Sequence, residues 1–189
     1  MRNHLAVFCG SSYGDDKTYI DSAEQFGMEL ANKGKVLIYG GAQVGCMGAI
    51  ANKVLEYEGK VIGVIPEKLK NVELAHEGLS ELIVVESMHE RKAQMAELAD
   101  GFVALPGGSG TLEEWFEVFT WAQLGYHQKP CGLLNVNGFF DPLMEMIDHI
   151  IKKGFMKREY KDLILISSDP AELLHKIDTY KMSYTIKWT

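Results

Sequence analysis

Three stretches of this 189-residue chain combine residue types and spacings that could do chemistry. The first is Pro106-Gly107-Gly108-Ser109-Gly110-Thr111-Leu112-Glu113-Glu114. It follows an apolar run and precedes a helical pattern, which places consecutive N–H groups at a helix N-terminus. Those groups have no acceptor inside the helix, and the helix dipole adds partial positive charge, so the loop is built for an anion such as phosphate. Gly107, Gly108 and Gly110 let a ligand approach the backbone, and Ser109 and Thr111 add hydroxyl donors. Glu114 has two readings. Thr111-x-x-Glu114 has the spacing of a capping box, in which the carboxylate reaches back to the Thr111 N–H. A carboxylate beside a phosphate site also repels the ligand, a cost that makes sense if it faces a centre that turns cationic, such as an oxocarbenium-like ribosyl carbon.

The second stretch is Ser87-Met88-His89-Glu90-Arg91-Lys92. Ser87-x-x-Glu90 is again a capping box, so Arg91 and Lys92 fall in the first turns of a helix. Cations there oppose the dipole by a few tenths of a kcal/mol, and a pair of them points either to an anionic partner or to plain solvation. The third, Gly40-Gly41-Ala42-Gln43-Val44-Gly45-Cys46-Met47-Gly48, lacks the Lys-Ser/Thr of a nucleotide P-loop. It also lacks the middle Gly of a dinucleotide fingerprint.

The elements that must position these residues alternate along the chain. Short apolar runs at 5–9, 35–39, 60–65, 81–85, 101–105 and 131–136 read as buried parallel strands. Between them lie amphipathic patterns. Ile20, Ala23, Phe26, Leu30 and Ala31 share one helical face, and Leu143, Met146, Ile147, Ile150 and Ile151 share another. A last helix is expected after Asp169-Pro170, with Asp as cap and Pro in the first turn. The pattern predicts a Rossmann-like three-layer α/β/α domain over residues 1–189 with a mainly parallel central sheet. Gly-rich turns follow three of the strands, at the carboxyl ends where open sheets bind ligands. Leu112, Trp115, Phe116, Phe119 and Ala122 make one apolar helix face, with Val118 and Trp121 off it, which predicts deep burial or a homodimer.

Composition removes other classes. A formal net charge of −7 argues against general binding to nucleic acid or anionic membranes. The basic run from Lys152 to Lys161 reads as a solvated helix end. Three scattered cysteines form no CxxC pair and no disulfide framework, six histidines have no metal-ligand spacing, and no apolar stretch reaches 18 residues. The N-terminal residues show no signal-peptide pattern, so the expectation is a soluble, cytoplasmic protein that works without metal or cofactor.

Together these residues resemble the Lonely Guy family of cytokinin riboside 5′-monophosphate phosphoribohydrolases, once labelled possible lysine decarboxylases. The family pattern P-G-G-x-G-T-x-x-E is met from Pro106 to Glu114, and M-H-x-R-K from Met88 to Lys92. Val7–Ser12 and Thr120–Gly125 are also similar, so the resemblance runs from about Leu5 to Phe155. It implies a homodimeric hydrolase that splits adenosine monophosphates into free base and ribose 5-phosphate, with a cytokinin riboside monophosphate or AMP as substrate. It implies that Arg91 and Glu114 are catalytic and that Glu73, Lys92, the Gly107–Thr111 loop and Thr120 contact the nucleotide. Ala42 stands where many members carry a third Gly. Two alternatives stay open: a carrier of a nucleotide or phosphorylated cofactor, resembling molybdenum-cofactor carriers, and a general AMP nucleosidase. A decarboxylase would need a Schiff-base lysine, and no lysine sits in such a context.

Overall fold

The computed structural model describes residues 2–70 and 75–182. Seven strands form one parallel sheet: β1 (His4–Phe8), β2 (Val36–Tyr39), β3 (Lys60–Pro66), β4 (Glu81–Val85), β5 (Gly101–Ala104), β6 (Cys131–Leu134) and β7 (Ile164–Ser167). Their order is β4-β3-β2-β1-β5-β6-β7. The helices are α1 (Lys17–Asn32), α2 (Gly45–Glu56), the single turn α3 (Glu67–Lys70), α4 (Met88–Leu98), α5 (Ser109–Leu124), α6 (Asp141–Lys152) and α7 (Pro170–Thr179).

The sheet divides two cores, and β1 shows why. Its side chains alternate across the pleat. Leu5 and Val7 join Phe26, Leu30, Ile50 and Ile177 beneath α1, α2 and α7. Ala6 and Phe8 join Met95, Trp115, Phe119 and Ile147 beneath α4, α5 and α6. This is the expected three-layer α/β/α arrangement. Each fully buried Leu, Ile or Phe contributes about 1.5–3 kcal/mol of transfer free energy, which is why consecutive strand positions are apolar. Helix starts also follow their local chemistry. Asp16 accepts the Thr18 N–H at 2.9 Å, and Asp169 accepts the Glu172 N–H at 2.7 Å with Pro170 behind it.

The structure corrects the sequence reading of the strands in two places. β7, a four-residue edge strand beside β6, was not among the six expected runs. β4, at the opposite edge, is only half-buried rather than covered on both faces. Val118 and Trp121, the residues off the main apolar face of α5, both pack into this chain's own second core, the burial that was one of the two expected outcomes.

The order of strands reverses between β1 and β5, which pair directly, with Phe8 opposite Ala104. The chain leaves β1 and β5 in opposite senses, and the turns after them face each other across a crevice.

Candidate active site

Three Gly-rich turns interlock at that crevice. The Gly10 N–H donates to the Pro106 carbonyl at 3.1 Å, tying the turn after β1 to the turn after β5. The N–H groups of Cys46 and Met47, at the start of α2, donate at 3.4 Å to the carbonyls of Ser12 and Gly10. The α2 terminus therefore spends these donors inside the protein. Positive φ falls on Gly41 and Gly45 and not on Ala42, which is fully buried and bridges Ala75. Alanine at 42 accordingly leaves the turn intact.

The α5 terminus differs. Its cap is Gly108, with extended backbone and no side-chain capping bond, and the helix begins at Ser109. Gly108, Ser109 and Gly110 are exposed, and their backbone faces a cleft of about 380 Å³. By helix geometry the first-turn N–H groups have no intrahelical acceptor. Gly107 is required by contact: a β-carbon there would lie 2.2 Å from the Thr111 hydroxyl and 2.7 Å from the Gly10 nitrogen. The buried Thr111 thus fixes the loop from below.

This start point overturns the capping-box reading of Glu114. Thr111 is inside the helix, so Glu114 is one turn past the cap. It lines the cleft with a side chain only 15% exposed, and its Oε1 lies 3.7 Å from Arg91 Nη2. The capping box at Ser87 forms in part. Ser87 Oγ accepts the Glu90 N–H at 3.2 Å, but Glu90 reaches back to the Glu86 N–H.

Arg91 is buried, 7% exposed, in the first turns of α4. Nη1 donates to Met88 Sδ at 3.5 Å, and Nε is buried with no hydrogen-bond partner. The guanidinium thus lines the cleft against the dipole of its own helix, held by a weak sulfur acceptor and the nearby Glu114 carboxylate. The floor includes Cys9, whose thiol is pushed well above its ordinary pKa by burial, reinforced by Cys46 and Glu114. It remains a neutral S–H at physiological pH and is no nucleophile.

The other expected contacts fare differently. Lys92 does not line the cleft. Its Nζ lies 2.6 Å from Glu113 Oε1 and 3.1 Å from Glu117 Oε1, bracing α4 against α5. Burial disfavours its charge, but these hydrogen bonds outweigh that and hold its pKa above the usual lysine range. Thr120 is exposed and eleven residues beyond Ser109, about 16 Å along α5 at 1.5 Å per residue. Glu73 lies outside the described residues. Cys9 and Met47 line the cleft and Gly40 abuts Arg91; the sequence reading gave none of the three a role. Gly40 carried a signal, since it ends a strand in a Gly-rich turn.

A second cleft of about 320 Å³ shares Gly10, Ser11 and Gly108 with the first and is lined by Tyr13, Tyr19 and Phe139. Among the described residues, no cluster of three or more His, Cys, Asp or Glu side chains is placed to hold a metal ion.

Comparison with known proteins gives concordant results. A family described as possible lysine decarboxylase matches residues 47–177. The cytokinin riboside 5′-monophosphate phosphoribohydrolase LOG of Oryza sativa subsp. japonica is 45% identical over 96% of this chain and 75% of its own length. LOG5 of Arabidopsis thaliana, of the same description, is 45% identical over 94% and 78%. The probable enzyme LOGL1 of rice is 46% identical over 95% and 81%. Among solved structures, a molybdenum cofactor binding protein from Rippkaea orientalis shares the fold with a TM-score of 0.72 at 23% identity, covering 95% of this chain and 97% of that one.

Proposed function

The chain belongs to the family of the cytokinin riboside 5′-monophosphate phosphoribohydrolases, the group also described as possible lysine decarboxylases, and from that premise we propose that it hydrolyses the N-glycosidic bond of N6-substituted adenosine 5′-monophosphates. The products are the free cytokinin base and ribose 5-phosphate.

The observation that carries the reading is the Arg91–Glu114 pair, 3.7 Å apart and almost fully buried, beside a helix terminus with unused donors. The 5′-phosphate docks on the backbone of Gly108–Thr111, and its binding energy holds the ribose in place. The C1′–N9 bond breaks and the base leaves with the electron pair; a water oxygen bonds to C1′, and the proton that this water sheds ends on the departing base. The Glu114 carboxylate steadies the positive charge that develops on the ribose. Arg91 cannot act as a proton donor, because guanidinium stays protonated. Its role is to donate hydrogen bonds to phosphate or to the departing base. Decarboxylation has no support here: no lysine is among the residues lining the cleft, and Lys92 is committed to Glu113 and Glu117.

The reading extends to a single cytoplasmic domain acting as a homodimer. Three free, buried cysteines fit a reducing compartment, and no helix among the described residues is long and apolar enough to cross a membrane. Exposed Leu124 and Tyr126 at the end of α5 offer apolar area for a second copy.

Chromatography of reactions with isopentenyladenosine 5′-monophosphate and with AMP tests the proposal. Faster release of base from the first supports cytokinin activation. Equal rates would make the protein a general AMP nucleosidase, and binding without release would make it a carrier.

A further inference from the structure

The turn after β2 remains without a role in the reading above. It begins at Gly40, which is buried. Gly40 does not adopt positive φ, so its backbone would accept any residue. Space is what demands glycine. A β-carbon at this position would lie 2.0 Å from Arg91 Nη2, 3.2 Å from Arg91 Cζ and 3.3 Å from Met47 Sδ. The guanidinium therefore rests directly on the Gly40 backbone and occupies the volume a side chain would take.

This contact closes a gap in how Arg91 is held. Its Nε has no partner, its Nη1 has one weak sulfur acceptor, and its Nη2 stands 3.7 Å from Glu114. The steric contact with Gly40 adds to these polar contacts. We infer that Gly40 is a positioning residue for the hydrolytic reaction, forming with Met47 the wall that keeps the Arg91 guanidinium against Glu114. The inference rests on the assignment of Arg91 to the reaction. It links the first part of the sheet, through β2, to a catalytic pair carried by α4 and α5.

The kind of clash matters. At Gly40 the obstructing atoms are the far end of a flexible side chain, which can swing away. At Gly48 a β-carbon would lie 2.0 Å from the backbone carbonyl oxygen of Gln43, which cannot. Gly40→Ala should therefore leave folding nearly intact and displace the guanidinium, whereas Gly48→Ala should destabilise the whole turn.

Phenylglyoxal labelling with peptide mass spectrometry reads the position of Arg91 without reference to activity. The chain has three arginines, at 2, 91 and 158, and the Arg158 side chain, 72% exposed, is the internal standard. In the wild-type protein Arg91 should be protected. In Gly40→Ala its labelling relative to Arg158 should rise at least tenfold, while Tm shifts by only a few degrees. With isopentenyladenosine 5′-monophosphate, kcat should fall at least tenfold and KM change less than threefold. In an Arg91→Ala background, Gly40→Ala should cost less than a further twofold. Unchanged Arg91 protection overturns the inference, as does increased labelling with kcat retained, or an undiminished effect of Gly40→Ala once Arg91 is gone. Should Gly40→Ala fail to fold, Gly40→Ala/Arg91→Ala must fold, because the obstruction is gone. Failure of both overturns the inference. A wild-type protein without hydrolase activity would refute the functional reading while leaving the labelling result to decide whether Gly40 places Arg91.

Discussion

Replacing Glu114 by Gln keeps the shape of the side chain and removes its charge. The structure gives the size of the effect. Arg91 Nη2 and Glu114 Oε1 are 3.7 Å apart, with side chains 8% and 15% exposed. At an effective dielectric constant of about 20, two unit charges at that distance attract by about 4–5 kcal/mol. Removing one member of such a pair leaves a buried cation without its counter-charge, which typically costs about 3–5 kcal/mol. For a chain of this length that corresponds to a drop in Tm of roughly 6–20 °C. Turnover should fall separately by about 10²–10³-fold, the usual cost of deleting one preorganised electrostatic contact to a transition state. The second substitution, Arg91→Met, separates the two losses. Arg91→Met/Glu114→Gln leaves no unpaired buried charge, so it should recover most of the lost Tm and none of the lost activity. Thermal melts and initial rates at saturating monophosphate measure both. A Glu114→Gln variant retaining more than a tenth of wild-type turnover, or a double variant melting no higher than the single, would refute the reasoning.

Other consequences follow from the same geometry. Lys92 braces α4 against α5 and does not line the cleft, so in Lys92→Met KM for the monophosphate should stay within threefold while stability falls by about 1 kcal/mol, as read by urea denaturation. Gly107→Ala should destabilise the loop and abolish phosphate-dependent binding, because the obstruction there includes backbone, and calorimetry with AMP would show it. His76 accepts the Gly78 N–H at Nδ1 and so presents Nε2–H to Asn52; burial lowers its pKa. The unfolded chain takes up the proton first, so the stability linked to His76 is complete above its ordinary value of about 6.5 and is lost as pH falls below that toward the folded value. The fall in Tm between pH 7 and pH 5 should therefore be smaller in His76→Gln.

The sequence displays residue types better than it displays directions. Pro106–Thr111 is legible because glycine spacing and a following apolar helix state both the turn and its chemistry. The meeting of Arg91 with Glu114 is not, since it depends on a parallel crossover that brings α4 beside α5. Lys92 shows the same limit. Adjacent to Arg91 in sequence, it projects about 100° further round the helix, where Glu113 and Glu117 take it up. The capping box at Thr111 misled because its spacing is right while the helix begins two residues earlier, at Ser109. β7 escaped notice because a four-residue edge strand between a 3-10 turn and a helix is too short to show a period. Gly40 was visible as a glycine at a strand end. That its missing side chain makes room for an arginine 51 positions later could be seen only in the folded chain.

In the proposed reaction the α5 terminus holds the 5′-phosphate, and this contact drives cleavage at C1′. The most direct measurement compares kcat/KM for isopentenyladenosine 5′-monophosphate with that for the nucleoside lacking the phosphate, using one enzyme preparation. Three charge-assisted hydrogen bonds of about 1.5–3 kcal/mol each predict a preference of at least 10³-fold for the monophosphate, with free base and ribose 5-phosphate as products. Comparable rates on the two substrates would mean that the phosphate contact does not drive cleavage.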